Sequence, residues 1–190
     1  MEISTVVILG IIAIVVIYAI LIYNGLVALK HNVSKAWSNI DVLLKQRHDE
    51  LPKLVEACKQ YMKHEAGTLE RVMEARSGVS KAREAKDIQA LGQAETALRQ
   101  GLMNLFAVAE AYPDLKANES FQHLQGRISG LENSIADRRE FYNESVNNNN
   151  VRIEQFPDLL IARKLNFGAF DLLEFSEEEK KDVNLKSLFD

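Results

Sequence analysis

The chain carries one long, predominantly apolar run close to its N-terminus, from Ile3 to Ile22, with the sequence ISTVVILGIIAIVVIYAILI. Between Val6 and Ile22, thirteen of the seventeen residues are Ile, Val or Leu, and none is charged. Each such residue favours membrane insertion by about 0.3–0.6 kcal/mol, and twenty helical residues measure about 30 Å, the thickness of a hydrocarbon core. The run therefore predicts a transmembrane helix, because a lone strand in lipid would leave its backbone groups unpaired.

The expected membrane anchor comprises residues 1–25, and its candidate anchor residues are Ile3, Val6, Ile12, Ile17 and Ile22. A cleaved signal peptide is the competing interpretation, but it would need a basic N-terminal region, a shorter apolar core and a small-residue cleavage site. Glu2 is the only charged residue before the run. A buried core helix is the other alternative, but the rest of the chain is too polar to enclose an apolar rod on every side. A retained anchor is therefore favoured.

The remainder of the chain, about 165 residues, is long enough for one domain with a proper core. The formal net charge is −4, and the basic residues are spread along the chain without forming a stripe. Nucleic acid is therefore not expected as a partner. Cys58 is the single cysteine, which excludes an internal disulfide and a thiolate metal cluster. Because it falls on an apolar helical stripe, it is expected in the core.

Beyond the anchor, apolar residues recur three and four positions apart from Leu26 to Met73, which is typical of amphipathic helices. Pro52 interrupts this stripe. Since proline removes a helical hydrogen bond and clashes one turn back, the helix is expected to kink or restart there. The weakly patterned segment from Ser77 to Lys86 predicts fraying or a loop.

Two further helices are marked by their ends. Asp87 is a suitable cap for a helix that stops before Pro113, and Asn118 for one of about 38 residues that stops before Pro157. The third helix contains the glycine pair of a GxxxG pattern, Gly126 and Gly130, which favours close helix approach over a membrane dimer. The predicted fold is all-α, a single transmembrane helix followed by an antiparallel bundle of long helices over residues 26–157.

Residues 158–190 form the expected third region. It begins with an aromatic, leucine-rich segment, LLIARKLNFGAFDLLEF, that either laps over the end of the bundle or rests on the membrane surface. It ends in the acidic sequence SEEEKKDVNLKSLFD, which is expected to be solvated.

Four long motifs carry a resemblance to a known family: AWSNID, QRHDELPKLV, AVAEAYPDLKAN and REFYNESV. With the sequence around them, from Tyr23 to Phe156, they closely resemble the LemA family of bacterial membrane proteins. The resemblance implies an N-terminal anchor, a helical bundle, a bacterial inner-membrane location, and no established enzyme activity. No cofactor is expected. It also implies a role in membrane organisation or membrane-protein quality control, with an integral membrane protein such as a metalloprotease as a partner. The chain departs from the family pattern after Pro157.

Chemistry-bearing residues are sparse. The nearest approach to a metal site is His48 and His64 with their neighbouring carboxylates, but a helical zinc site needs HExxH, and His64-Glu65 has no second histidine at that spacing. An enzyme or metal-dependent sensor that uses these two histidines is therefore the alternative function.

A second polar group flanks the apolar stripe around Pro52: Asn39, Asp41, Arg47, His48 and Glu56. Ion pairs and hydrogen bonds between helices explain such a group most simply. A face for docking a partner protein is the other interpretation. Trp37, beside them, is expected in the core, with contact to another protein as the alternative.

The stem that follows the anchor is a candidate oligomer interface. It presents five apolar side chains near the membrane, Leu26, Leu29, Val33, Ala36 and Ile40. If the other helices do not reach them, a symmetric neighbour would cover them. The alternative is that residues after Pro157 fold back and shield the stem within one protomer.

The sequence thus favours a non-catalytic, single-pass membrane scaffold or adaptor that forms a homo-oligomer. Its orientation follows from the basic residues near the anchor, which are Lys30 and Lys35 on the C-terminal side. Basic flanks stay inside, so the N-terminus is expected outside and the bundle in the cytoplasm.

Overall fold

Six α-helices make up most of residues 3–174, the part of the chain that the computed structural model describes. They are α1 (Ile3–Lys59), α2 (Ala66–Ala85), α3 (Ile88–Ala109), α4 (Pro113–Lys116), α5 (Glu119–Glu154) and α6 (Asp158–Lys164). No residue of this range is in a strand, which confirms the all-α class. The acidic C-terminal sequence that was expected to be solvated lies outside the described residues.

Helix α1 begins in the apolar run and continues to Lys59, so it does not restart at Pro52. A proline at this position lacks the N–H that would bond the carbonyl of His48 one turn earlier. That carbonyl accepts a hydrogen bond of 2.9 Å from Nε of Arg76 on α2 instead. A side chain thus replaces the missing backbone donor. The helix ends at a turn over residues 60–65, so the apolar stripe beyond it belongs to α2.

The segment from Ser77 to Lys86, expected to be frayed or a loop, is helical as far as Ala85. Helix α2 ends where Lys86 adopts a left-handed conformation with a φ of 56°. The predicted cap follows at once, because the Asp87 carboxylate accepts a hydrogen bond of 2.9 Å from the N–H of Ala90.

This short connection makes α2 and α3 an antiparallel pair. Gly101 of α3 lies against Val72 of α2, and Gly78 of α2 lies against Ala94 of α3, so residue numbers rise along one helix as they fall along the other. The antiparallel packing predicted for the bundle is present in this pair.

Helix α5 has the ends that its sequence predicts. Oδ1 of Asn118 accepts a hydrogen bond of 3.0 Å from the N–H of Phe121, and the helix stops at Glu154, before Pro157. The prediction for the glycine pair is wrong. A methyl group at Gly126 or Gly130 would meet nothing within 4 Å, so these glycines do not bring two helices together.

The described residues divide into two compact units. The first unit contains residues 3–39 and 140–172, and the second contains residues 40–139 and 173–174. Helices α1 and α5 contribute residues to both.

In the first unit, α1 and α5 are antiparallel and α6 packs beside them. Trp37 and Tyr142 make an edge-on ring contact at 5.8 Å. The core of the unit lies before Trp37 on α1 and after Tyr142 on α5. It contains Ile22, Leu26, Ile153 and Ala162, with Ile161 and Phe167 packed against it. Residues after Pro157 therefore fold back onto the stem, as one of the two alternatives proposed.

The second unit has a leucine-rich core. Its almost fully buried side chains include Leu51, Leu54, Cys58, Leu91, Leu98, Leu105, Leu115, Phe121 and Ile128. Each buried side chain of this size contributes about 1.5–3 kcal/mol from the hydrophobic effect. The core position predicted for Cys58 is confirmed. Gly92 is buried, and a side chain at this position would collide with the backbone carbonyl of Glu174, so this close approach requires glycine.

Candidate functional site

The five polar residues of the candidate docking face differ widely in exposure. Asn39 and Glu56 are exposed, Asp41 and His48 are half-buried, and Arg47 is buried. Arg47 is therefore not available to a partner protein, which corrects that part of the prediction. Docking at the remaining four positions stays a prediction.

Arg47 forms the centre of a buried charge cluster in the second unit. It bonds to Glu95 of α3, and at 2.6 Å to Glu132 of α5. The side chains of Arg47 and Glu95 are only 1% and 3% exposed, whereas that of Glu132 is 20% exposed. Burial raises the pKa of the Glu95 carboxyl, and the Arg47 charge opposes this shift. The cluster ties three helices together, which is the structural role anticipated for a polar group beside the stripe.

His48 is the residue after Arg47 on α1 and is held by Arg76 of α2. Nη2 of Arg76 lies 2.6 Å from Nε2 of the imidazole. Since a guanidinium only donates hydrogen bonds, Nε2 of His48 must be the acceptor and carry no proton. Burial lowers the pKa of His48, and the positive charge of Arg76 lowers it further. His48 thus serves as a neutral acceptor between α1 and α2.

The described residues contain no cluster suited to a metal ion. Within residues 3–174, no three His, Cys, Asp or Glu side chains are grouped closely enough to ligate one. His64 is exposed in the turn after α1, and the ring of His48 is engaged with Arg76. The structure therefore does not join these two histidines into a shared site.

The apolar stem residues are covered within a single chain. Leu26, Val33, Ala36 and Ile40 are each at most 2% exposed, and Leu29 is half-buried. The expectation of an uncovered stripe is therefore wrong. A homo-oligomer stays a prediction, but these side chains do not require one.

The apolar run, by contrast, is largely uncovered. Only 6% of its most apolar eighteen-residue window is buried, and this helix is long and apolar enough to cross a membrane. Ile3, Val6, Ile12 and Ile17 are 84%, 51%, 53% and 59% exposed. Ile22, the last of the five predicted anchor residues, is 4% exposed and belongs to the core of the first unit.

Helix α6 and the end of the apolar run form a feature that sequence reasoning missed. Together they line an apolar groove of about 460 Å³. Its walls are Val16, Ala19, Ile20 and Tyr23 from α1, and Leu160, Ile161, Lys164 and Leu165 from α6 and the residue after it. The rings of Tyr23 and Phe167 meet edge-on at 6.0 Å, and Arg152 bonds Asp158 at 2.5 Å. These contacts fix α6 at the start of the stem.

The segment after α6 is held by side chains of α5. The amide of Asn150 donates to the carbonyl of Phe170 at 2.9 Å and accepts from its N–H at 3.0 Å. Asn149 donates to the carbonyl of Gly168 at 3.3 Å, and the Tyr142 hydroxyl donates to that of Asp171 at 3.0 Å. The sequence signal was present, because four consecutive asparagines are poor helix formers and need another reason to stand inside a helix.

Comparison with known proteins gives the chain a family. A sequence profile described as the LemA family matches residues 36–186, so the expectation that the chain departs from the family pattern after Pro157 is wrong. Protein LemA of Metamycoplasma hominis is 27% identical over 165 residues, which cover 87% of this chain and 74% of that protein. Magnetosome proteins MamQ 1 and MamQ 2 of Paramagnetospirillum magneticum are each 32% identical over 69 residues, 36% of this chain and 25% of theirs. With the profile spanning most of its length, this chain belongs to the LemA family.

Proposed function

We propose that this LemA family protein is a non-catalytic, single-pass membrane scaffold, anchored by the apolar run of α1. The observation that carries the proposal is the contrast within that helix. Its apolar side chains as far as Leu21 lie on the surface, whereas from Ile22 onward the apolar side chains at regular helical spacing are buried. A chain in water does not leave so many neighbouring apolar side chains uncovered, because exposed apolar patches of this size mark interfaces with proteins or membranes.

Extraction of membranes tests the anchor. Cells that make the full chain are lysed, and the membranes are washed with alkaline carbonate, which releases peripheral proteins. The protein should stay with the bilayer, and Ile12→Asp with Val16→Asp should release it, because each central Asp costs about 2.5–3.5 kcal/mol of insertion free energy. Release of the unaltered protein would refute the anchor.

The arrangement of polar groups supports a role without catalysis. Among the described residues of the second unit, the most deeply buried charged side chains are Arg47 and Glu95, and they pair with each other between helices. Metal analysis of the purified full-length protein separates this proposal from the enzyme or sensor alternative at His48 and His64. Stoichiometric zinc or iron would favour the alternative.

The proposed orientation places the bundle in the cytoplasm, in accordance with Lys30 and Lys35 on that side of the anchor. Gln60 is exposed in the turn after α1 and is a suitable site for a reporter cysteine. In intact cells, Gln60→Cys should not react with an impermeant maleimide until the membrane is opened. Immediate labelling would place the bundle outside.

The partners proposed are a second copy of the chain and an integral membrane protein such as a metalloprotease. The family resemblance implies the second of these, in membrane organisation or quality control. Crosslinking in native membranes followed by mass spectrometry identifies such a partner, and mass photometry in nanodiscs counts the copies. A monomer with no crosslinked neighbour would leave the scaffold without support.

A further inference from the structure

Helix α6 leaves large apolar side chains uncovered although it is packed into the first unit. Leu160 and Leu165 are 60% and 51% exposed, whereas Ala162 of the same helix is 1% exposed. Both exposed leucines line the groove beside α1. The exposed apolar surface of α6 therefore forms one wall of this groove.

The groove is continuous with the apolar surface of the anchor. Val16 and Ile20, which form its opposite wall, are 51% and 53% exposed and belong to the run that spans the bilayer. From Val16 to Tyr23 the helix rises about 10 Å, a third of a hydrocarbon core. When the run crosses the membrane, the groove thus lies at the boundary between acyl chains and headgroups. Tyr23 stands where aromatic belts are found.

The lining carries one cation and no anion. Among the lining residues, Lys164 is the only one with a charged side chain, and the Tyr23 hydroxyl is the only other ionisable group. The nearest carboxylate of α6, Asp158, is buried and bonded to Arg152 at 2.5 Å. A lysine has an apolar stem and a charged end, so it can line an apolar channel while its ammonium group reaches the phosphate level. This combination suits an amphiphile with an acyl chain and a negative headgroup.

We propose that the groove binds an anionic phospholipid of the surrounding bilayer. An acyl chain lies between α1 and α6, and the phosphate pairs with Lys164. A volume of about 460 Å³ is within the range of sites that hold small molecules. The inference rests on the proposed membrane anchor, and it makes α6 part of a lipid site rather than only a cover for the stem.

Native mass spectrometry of the full-length protein tests the site. The protein is reconstituted in vesicles with equal amounts of phosphatidylcholine and phosphatidylglycerol, and the lipid that it retains is identified after mild release. One basic residue near the surface contributes about 1 kcal/mol, so phosphatidylglycerol should be retained about fivefold more than phosphatidylcholine. Lys164→Glu should reduce this ratio to about one.

Arg163→Glu is the matched control, since it reverses an adjacent exposed charge that does not line the groove. It should preserve most of the preference. Equal losses in both variants would mean diffuse attraction to the headgroups and would overturn the site. Retention of a second copy of the chain in place of lipid would also overturn it.

Flotation of the same vesicles separates this inference from the anchor. If the protein floats with the vesicles but retains both lipids equally, the groove is refuted and the anchor stands. If it does not float, the anchor fails, and the lipid site fails with it.

Discussion

The backbone carbonyl of His48 is bonded by the Arg76 side chain at 2.9 Å, which repairs the hydrogen bond that Pro52 removes from α1. The same guanidinium contacts the imidazole of His48 at 2.6 Å. One residue of α2 therefore satisfies both the main chain and the side chain of one residue of α1. This relationship allows the proline to stand inside a continuous helix.

Arg76→Ala should lower the free energy of unfolding by about 1–3 kcal/mol, because it leaves the His48 carbonyl without its donor. In a Pro52→Ala background the loss should be smaller, since the N–H of the new alanine can bond that carbonyl. Urea unfolding of the four proteins in detergent gives the coupling energy. Equal losses in both backgrounds would show that Arg76 does not compensate for the proline.

Acidification should destabilise the protein through His48. Burial and the Arg76 charge hold its pKa below the ordinary 6.5, so the unfolded chain binds a proton that the folded chain resists. The contribution of His48 is therefore fully present above about pH 6.5 and is lost as the pH falls below that value. Unfolding curves from pH 8 to pH 5 should show this decline, and His48→Gln should reduce it. An unchanged decline in that variant would assign it to other groups.

Arg47→Met should destabilise the second unit by about 3–5 kcal/mol, because it leaves Glu95 buried without its counter-ion. The free energy of unfolding of a typical protein is only about 5–15 kcal/mol, so the loss is large. Adding Glu95→Leu should recover part of it by removing the stranded carboxylate. Glu56→Ala, which removes only an exposed pair with Lys59, should cost less than about 1 kcal/mol. If Glu95→Leu restores nothing, the stranded charge is not the cause.

Ile135→Ala should cost about 2–5 kcal/mol, because it deletes methyl and methylene groups from a side chain that is 2% exposed and leaves a cavity. Leu131, one turn earlier, is only half-buried, so Leu131→Ala should cost less. Thermal melts of the two variants, measured side by side, test this order. A larger loss for Leu131→Ala than for Ile135→Ala would show that Ile135 does not lie on the buried face of α5.

Cys58 should be inert in the folded protein. Burial raises its pKa to about 11. At pH 8 only about one thiol in a thousand is then ionised, and the thiolate is the reactive form. A maleimide should therefore modify Gln60→Cys rapidly and Cys58 only after unfolding. Mass spectrometry follows the modification of each thiol. Rapid modification of both thiols would contradict the buried position of Cys58.

Helix ends were predictable because their chemistry is local. Asp87 and Asn118 cap the helices that follow them, through contacts with residues three positions ahead. The path of α1 through Pro52 was not predictable, since the compensating donor, Arg76, lies 24 residues away in sequence and on another helix. The rule that proline lacks a backbone N–H correctly predicted the missing hydrogen bond. It could not predict that the Arg76 side chain would replace it.

The groove was missed for a related reason. Leu160 and Lys164 have no pattern that distinguishes them in a seven-residue helix, and only the fold brings them to Val16 and Ile20. Similarly, burial of Leu26 depends on Ala162, which is distant in sequence. The apolar periodicity correctly predicted that Leu26 would be buried. It does not indicate whether the residues that bury it belong to the same chain or to another.

The division of the first unit has a consequence for biosynthesis. Its two parts, residues 3–39 and 140–172, are separated by residues 40–139, about 100 residues that the ribosome must translate between them. At about 5–20 residues per second, the interval lasts roughly 5–20 s. During that time Ile22 and Leu26 have emerged, but Ile153 and Ala162 do not yet exist. Most of residues 40–139 are therefore translated before the first unit can close, and Ile22 and Leu26 lack their native cover until Ile153 and Ala162 have been synthesised.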